Sequence, residues 1–277
     1  MEYKRGFTLK PYYIDRAGYV TFTDGTSTGL MANQNTCVAY GYRFDKASGT
    51  CTAFRENPQI NRSFANKSIV ETGTRNIIGI STQNGRIIGT DNVLSGNNNN
   101  TLIVGSQNEV ATNMNNASII GGTYGKVQRQ SEVVIGGGGA LGINQTSIVQ
   151  LGGATTDATD TFLTVQSDES SFIAVQNNSI FGFEIKVIAL CSGGSSGTVG
   201  DYAFIELTGA IKVNDGFVLT IAESSTTIAS VGSTGTVAVK RPALGYMTVQ
   251  VTGAADTNIE WFASVQITEK KLSSGTF

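Results

Sequence analysis

An apolar pair followed by glycine recurs through the middle of this chain at a fixed interval, and that interval limits the fold more than any other feature. Gly89, Gly105, Gly121 and Gly136 close the runs Ile87-Ile88, Ile103-Val104, Ile119-Ile120 and Val134-Ile135, in steps of 16, 16 and 15 residues. Ser68-Ile69-Val70 and Ile77-Ile78-Gly79 extend the series upstream, and Ser147-Ile148-Val149 extends it downstream. Midway through the steps lie weaker strand signals: Asn92-Val93-Leu94, Glu109-Val110-Ala111, Lys126-Val127-Gln128 and Ala140-Leu141-Gly142. Asn-rich turns separate the units. Two short strands and two turns in roughly 15 residues describe one coil of a parallel β-solenoid, or β-roll, whose coils stack about 4.8 Å apart. Gly79, Gly89, Gly105, Gly121 and Gly136 are expected where a coil turns with positive φ or where backbones pack closely. Asparagine suits the same corners because it tolerates the left-handed region and bonds its own turn.

So thin a coil encloses two or three aliphatic side chains. Such a shaft is expected to need company, and the economical arrangement is a homotrimer with the Ile and Val rows of three chains around a common axis. Composition agrees with an all-β chain: 34 Gly against 3 Pro, with only 14% charged residues, where about 25% is usual. The formal net charge is −2 and no Lys/Arg run exists, which argues against a nucleic-acid partner. No apolar stretch reaches the ~20 residues of a membrane span. The N-terminal MEYKRGFTLKPYYIDR lacks the apolar core of a signal peptide, so export by that route is not expected.

Three zones follow from the pattern. Residues 1–60 hold six of the nine tyrosines and two apolar stretches, TCVAYGYRF and TCTAF, separated by DKASG in the manner of a hairpin. Pro58 marks a boundary. Residues 61–158 are the solenoid. In residues 159–277 the strands lengthen and alternate: Phe181, Phe183, Ile185, Val187 and Ala189 on one face, with Gly182, Glu184 and Lys186 on the other. Met247-Val249-Val251 and Ile259-Trp261-Ala263-Val265-Ile267 repeat the alternation, as expected of a C-terminal antiparallel β-sandwich knob.

Chemistry-bearing motifs reduce to blander readings. Gly137 to Gly142 spell G-x-G-x-x-G after a strand, but a dinucleotide site needs a following helix and a later acidic residue; INQTSIVQLGG supplies another turn and strand instead. Six N-x-S/T sequons (Asn61, Asn66, Asn99, Asn116, Asn144, Asn177) read as turn chemistry rather than glycosylation. Histidine is absent, removing the commonest general base and metal ligand. Of three cysteines, Cys37 and Cys51 could bridge, yet free thiols are the preferred reading for a chain folded in cytosol. Acidic residues are scattered through the solenoid. The closest carboxylate pairs, Asp157/Asp160 and Asp168/Glu169, read as solvated linker, so no catalytic residue, cofactor or metal is expected. Trp261 reads as core. Tyr202 and Tyr246 flank loops of the last zone and are the candidates for stacking on a receptor sugar, against the reading of half-buried strand-end tyrosines.

The serial Ser-Ile-Ile-Gly strands with Asn/Gly turns resemble the head domains of trimeric autotransporter adhesins and repeats of bacteriophage tail-fibre and head-fibre proteins. Val251 to Glu269, VTGAADTNIEWFASVQITE, and Asn177 to Leu190, NNSIFGFEIKVIAL, resemble the closing and opening strands of a β-sandwich that follows such repeats in phage virion proteins. The expected lack of an export signal favours the phage branch. The resemblance implies a non-enzymatic homotrimeric fibre or spike, assembled in the host cytoplasm and resident in the virion. It would be held to other virion proteins by an N-terminal attachment region and contact a host-surface glycan or protein. A head fibre or decoration protein is the alternative. A polysaccharide depolymerase with its site at a subunit interface is a third reading.

Overall fold

The computed structural model describes residues 2–15, 18–46, 48–53, 69–166, 171–274 and 276. Pro58, Asn61, Asn66, Ser68 and the Asp168/Glu169 pair lie outside the described residues. The chain divides into two compact units, Met1–Ala65 and Asn66–Phe277. The first unit holds β1 (Lys10–Ile14), β2 (Val20–Thr23), α1 (Gln34–Ala39), β3 (Arg43–Asp45) and β4 (Thr50–Thr52). The β3–β4 hairpin across DKASG is as expected. TCVAY, however, is helical rather than a strand, because the Asn33 side chain caps the helix by accepting from Thr36 N at 2.9 Å. The free-thiol expectation fails for two cysteines. Cys37 on α1 meets Cys51 on β4 with Cα atoms 5.8 Å apart, and the two form a disulfide; Cys191 alone is free, and it is buried.

The second unit opens with the solenoid: β5 (Val70–Thr74), β6 (Ile77–Ile78), β7 (Gln83–Thr90), β8 (Val93–Leu94), β9 (Asn99–Ser106), β10 (Glu109–Val110), β11 (Ser118–Gly121), β12 (Lys126–Val127) and β13 (Val133–Gly136). Longer strands β5-β7-β9-β11-β13 form one parallel row, and the two-residue strands β6-β8-β10-β12 form the other. Ile87 pairs with Ile103, and Ile103 with Ile119, which pairs with Val134. These residues, with Leu94, Val110 and Val127 from the second row, are wholly buried and form the solenoid's apolar core.

Backbone register corrects the alignment read from sequence in three places. Ile77-Ile78 pairs with Val93-Leu94, so it belongs to the second row, and Glu71-Thr72-Gly73 precedes Ile87-Ile88-Gly89. In the third coil the register slips at Ile119/Gly121, and Gly122 with φ +87° takes the corner expected of Gly121. Ala140-Leu141-Gly142 is a turn, not a strand. The chain reverses there, and Ser147-Ile148-Val149 pairs antiparallel with β13.

Glycine at the corners is a steric demand. Gly73, Gly89, Gly105 and Gly122 all have positive φ, and a Cβ on Gly89 would lie 1.7 Å from the Gly105 carbonyl oxygen of the next coil. A side-chain ladder uses the same carbonyls. Asn76, Asn92 and Asn108 donate through Nδ2 to the carbonyls of Gly89, Gly105 and Gly122 at 3.0, 2.9 and 3.2 Å. Their Oδ1 atoms accept the backbone N–H of Asn92, Asn108 and Gly125 one coil on, at 3.1, 3.1 and 2.8 Å. Asn92 and Asn108 are fully buried, and these hydrogen bonds give their carboxamides the partners that burial demands.

Beyond the solenoid come β14 (Asn144–Thr155), β15 (Asp160–Phe162), β16 (Thr164–Val165), β17 (Ile173–Ala174), β18 (Ser179–Gly193), β19 (Tyr202–Val213), β20 (Leu219–Val231), β21 (Thr236–Lys240), β22 (Tyr246–Thr252) and β23 (Asn258–Lys271). The sheet of the solenoid continues without a break through β14, β23, β18, β19 and β20. A smaller antiparallel sheet, β15-β22-β17 with β21, shares one apolar core with it. The alternation read from sequence is correct: Phe181, Phe183, Ile185, Val187 and Ala189 line that core, as do Met247, Val249, Val251 and the β23 row around Trp261. Trp261 Nε1 donates to Thr155 Oγ1 at 3.0 Å, which satisfies the buried indole.

Substituting Gly105 by Ala is expected to lower stability by about 3 kcal/mol or more, through positive φ and collision with the next coil. Gly121→Ala, whose Cβ meets nothing within 4 Å, is expected to unfold within about 0.5 kcal/mol of wild type. Thermal unfolding of the two variants checks the register.

Candidate functional site

A buried network of ionised side chains sits where solenoid and terminal sheet meet. Arg129, 2% exposed, donates to Glu132 Oε1 at 2.5 Å and to Glu269 Oε2 at 3.1 Å. Its Nε donates to the Ala174 carbonyl at 2.6 Å, and its guanidinium lies 5.5 Å from the Phe181 ring. Glu132 Oε2 also accepts the backbone N–H groups of Gln128 and Arg129. Gln176 donates to Glu269 Oε1, and Gln145 donates to its Oε2 at 3.5 Å. Burial pushes the Glu269 carboxyl up, with Glu132 adding to the rise against the pull of Arg129. Burial opposes the charge of Arg129, but the two carboxylates outweigh it and hold the guanidinium protonated.

A buried carboxyl with a raised pKa is a usual mark of catalysis, and no sequence pattern points to Glu269 or its partners. Their geometry argues for a structural role. Glu132 and Glu269 are 0% and 2% exposed, every oxygen is engaged, and no surface opening leads to them among the described cavities. The pair singled out from sequence is used differently. Asp157 Oδ1 accepts from Thr159 N at 2.8 Å in a local turn, and hydrogen bonds from Thr159 hold its carboxyl below the usual range. Asp160 Oδ1 accepts from Thr252 Oγ1 at 2.6 Å across β15 and β22. Among the described residues no cluster of metal-ligating side chains occurs.

Two surface features remain as candidates for binding, and each contains one of the tyrosines named from sequence. Tyr246 starts β22 and packs edge-on against Phe172 at 6.4 Å, which packs edge-on against Phe162 at 6.1 Å. Tyr246 and Phe162 are 41% and 36% exposed, so the smaller sheet carries an exposed aromatic row. Tyr202 lies on the larger sheet instead, opposite Leu190 and Val231 on its neighbouring strands. The structure therefore does not bring the two tyrosines together. Phe162 ends the three-residue β15 and Phe172 precedes the two-residue β17, segments too short to show alternation in the sequence. The larger sheet also carries a polar depression of about 290 Å³, lined by Gly182, Phe183, Glu184, Thr208, Gly209, Gln266 and Thr268.

No protein-family profile and no curated protein matches this sequence. Among solved structures, the tailspike protein gp49 of Acinetobacter baumannii bacteriophage Fri1, a capsular polysaccharide depolymerase, aligns with a TM-score of 0.33 and 7% identity over 76% of this chain and 45% of its own. The Acinetobacter baumannii phage AM24 tailspike aligns at 0.26 and 8% over 76% and 50%. The Acinetobacter phage vB_ApiP_P1 tailspike aligns at 0.21 and 9% over 75% and 52%. The chain thus spans about half the length of these neighbours. The expectation of a non-enzymatic chain does not stand beside them, since the first is an enzyme; at such TM-scores the likeness itself assigns no activity here.

Replacing Arg129 by Met is expected to cost about 3–5 kcal/mol, because two buried carboxylates lose their cation. Glu269→Gln keeps the size and the hydrogen-bonding outline and is expected to cost far less. The raised Glu269 carboxyl favours the protonated fold, so its contribution is full below the ordinary glutamate range and is lost as pH rises through the folded value. The difference in Tm between Glu269→Gln and wild type is therefore expected to move in the variant's favour from about pH 4 to about pH 8; calorimetry at the two pH values checks this.

Proposed function

We propose that the chain is a homotrimeric spike or fibre component of a bacteriophage virion that attaches to polysaccharide on the host surface. The observation that carries this reading is an aliphatic row on the outside of the solenoid. Ile88, Ile120, Ile135 and Ile148 are 42%, 50%, 46% and 37% exposed, with Val104, Leu102 and Val133 half-buried among them. A monomer would leave this row in water on a shaft that already has a full interior, and packing against further copies removes it from water. The resemblance of the repeats and of the Val251–Glu269 segment to phage fibre proteins supports the same reading.

Attachment would reside in the terminal domain. The Phe162–Phe172–Tyr246 row offers aromatic surface to sugar rings, and three copies per assembly turn weak contacts into firm adhesion. The first unit, with its disulfide and exposed Tyr12, Tyr13 and Tyr19, would serve as the region held by other virion proteins.

Sedimentation equilibrium of the purified chain is expected to give a trimer, and Ile120→Lys to weaken it at least tenfold. The protein is also expected to compete with phage for adsorption to host cells, and Tyr246→Ala to compete at least tenfold less well. Release of reducing ends from capsular polysaccharide, measured in the same samples, separates attachment with cleavage from attachment alone. A monomeric chain that neither competes nor cleaves would refute the reading.

A further inference from the structure

A second apolar surface lies on the same face of the same sheet as the aliphatic row, and it is too large to be incidental. On the outer side of the terminal strands, Gly152, Phe262, Ile188, Phe204 and Ala229 stand side by side across β14, β23, β18, β19 and β20. The next row outward is Ala154, Glu260, Leu190, Tyr202 and Val231. Nine of these ten positions are apolar, aromatic or glycine, and Glu260 is the single charge. Ile188, Leu190, Tyr202, Val231 and Phe262 are 47%, 45%, 42%, 50% and 43% exposed. The opposite side of β14, β23, β18 and β19 carries the apolar core, so this patch is not what encloses that core.

We infer that this patch is the second half of the contact between copies of the chain, and that Tyr202 belongs to that contact rather than to a receptor site. The inference rests on the proposed self-assembly, and area decides it. Five strands about 4.8 Å apart and two side-chain rows about 6.7 Å apart give about 300 Å² for the patch, and a similar count gives about 300 Å² for the aliphatic row. Either one alone would bury about 600 Å² between two copies, the size of an ordinary lattice contact. Together they bury about 1,200 Å², where specific interfaces begin.

The hydrogen-bonded ladder makes the two surfaces act together. Val133 of the solenoid pairs with Ile148, Ile148 with Gln266, and Gln266 with Glu184. Four residues along those same strands lie Gly152, Phe262 and Ile188. No loop or hinge separates the two surfaces, so a copy seated on the aliphatic row is carried onto the patch at a fixed distance. The sheet's right-handed twist of about 20–25° per strand turns the patch relative to the row, as suits copies wrapped about an axis rather than stacked face to face. The row between the level of Ile148 and the patch, Gln150, Ser264, Lys186 and Glu206, is polar and accounts for the gap in apolar character.

The test is sedimentation velocity of the full chain over a concentration series, as wild type, Phe262→Lys, Ile188→Lys and Ile120→Lys. Trp261, buried beneath Phe262 on the opposite face, reports by its emission whether each variant keeps the native fold. Phe262→Lys and Ile188→Lys are each expected to weaken association at least tenfold with unchanged Trp261 emission, as Ile120→Lys does. If Ile120→Lys weakens the assembly and both terminal-sheet variants leave it unchanged, this inference fails while the assembly stands. A wild-type chain that sediments as a monomer overturns the assembly and the inference together.

Discussion

The carboxamide of asparagine, wedged between successive coils, is the interaction on which the solenoid depends. Each corner glycine has a positive φ and a backbone that touches the next coil. A carbonyl at such a corner gains from a fixed side-chain donor. Asn76, Asn92 and Asn108 supply that donor and, with their own oxygen, accept from the following coil. Glycine and asparagine are thus halves of one device, repeated at the coil period.

A second constraint appears where the stack ends. The solenoid interior is apolar from Ile87 to Val134, and the terminal domain has an apolar core of its own. Between them stands the Arg129 network, with Glu132, Glu269, Gln145 and Gln176. Arg129 and Glu132 come from the last coil, whereas Glu269 comes from β23, 140 residues after Arg129. The network forms only when the last coil, β17 and β23 are all in place. It sits beside the reversal from parallel to antiparallel pairing, where Gly138, Gly139 and Gly142 adopt positive φ. The glycine-rich stretch that imitates a nucleotide loop is therefore the device that ends one architecture and starts the next.

What could be read from sequence was whatever repeats or alternates locally. Ile87, Ile103 and Ile119 fall at equal steps, and β18 and β23 alternate strictly, so both cores were visible. Ile77-Ile78-Gly79 spells the same motif as Ile87-Ile88-Gly89 yet belongs to the other row, because the row is decided by partners one coil away. Ile119-Ile120-Gly121-Gly122 contains two glycines, and only the approach of Gly136 selects the second. Arg129 could not be linked with Glu269 by any local pattern. Tyr202 and Tyr246 stand out for their chemistry, but their neighbours, Leu190 and Val231 for one and Phe172 for the other, come from segments distant in sequence.

The unbroken sheet from β5 to β20 also has a mechanical meaning. In the coils, the hydrogen bonds between strands run along the stack, and the strands lie across it. Tension along the stack would open those bonds row by row, beginning with the two-residue rungs of β6, β8, β10 and β12. In the terminal part, β18 and β23 are joined over thirteen or more residues in register, and a load along those strands would have to shear the whole ladder at once. The second unit is thus built as a yielding stem joined to a stiff block, with the buried charge cluster at the weld.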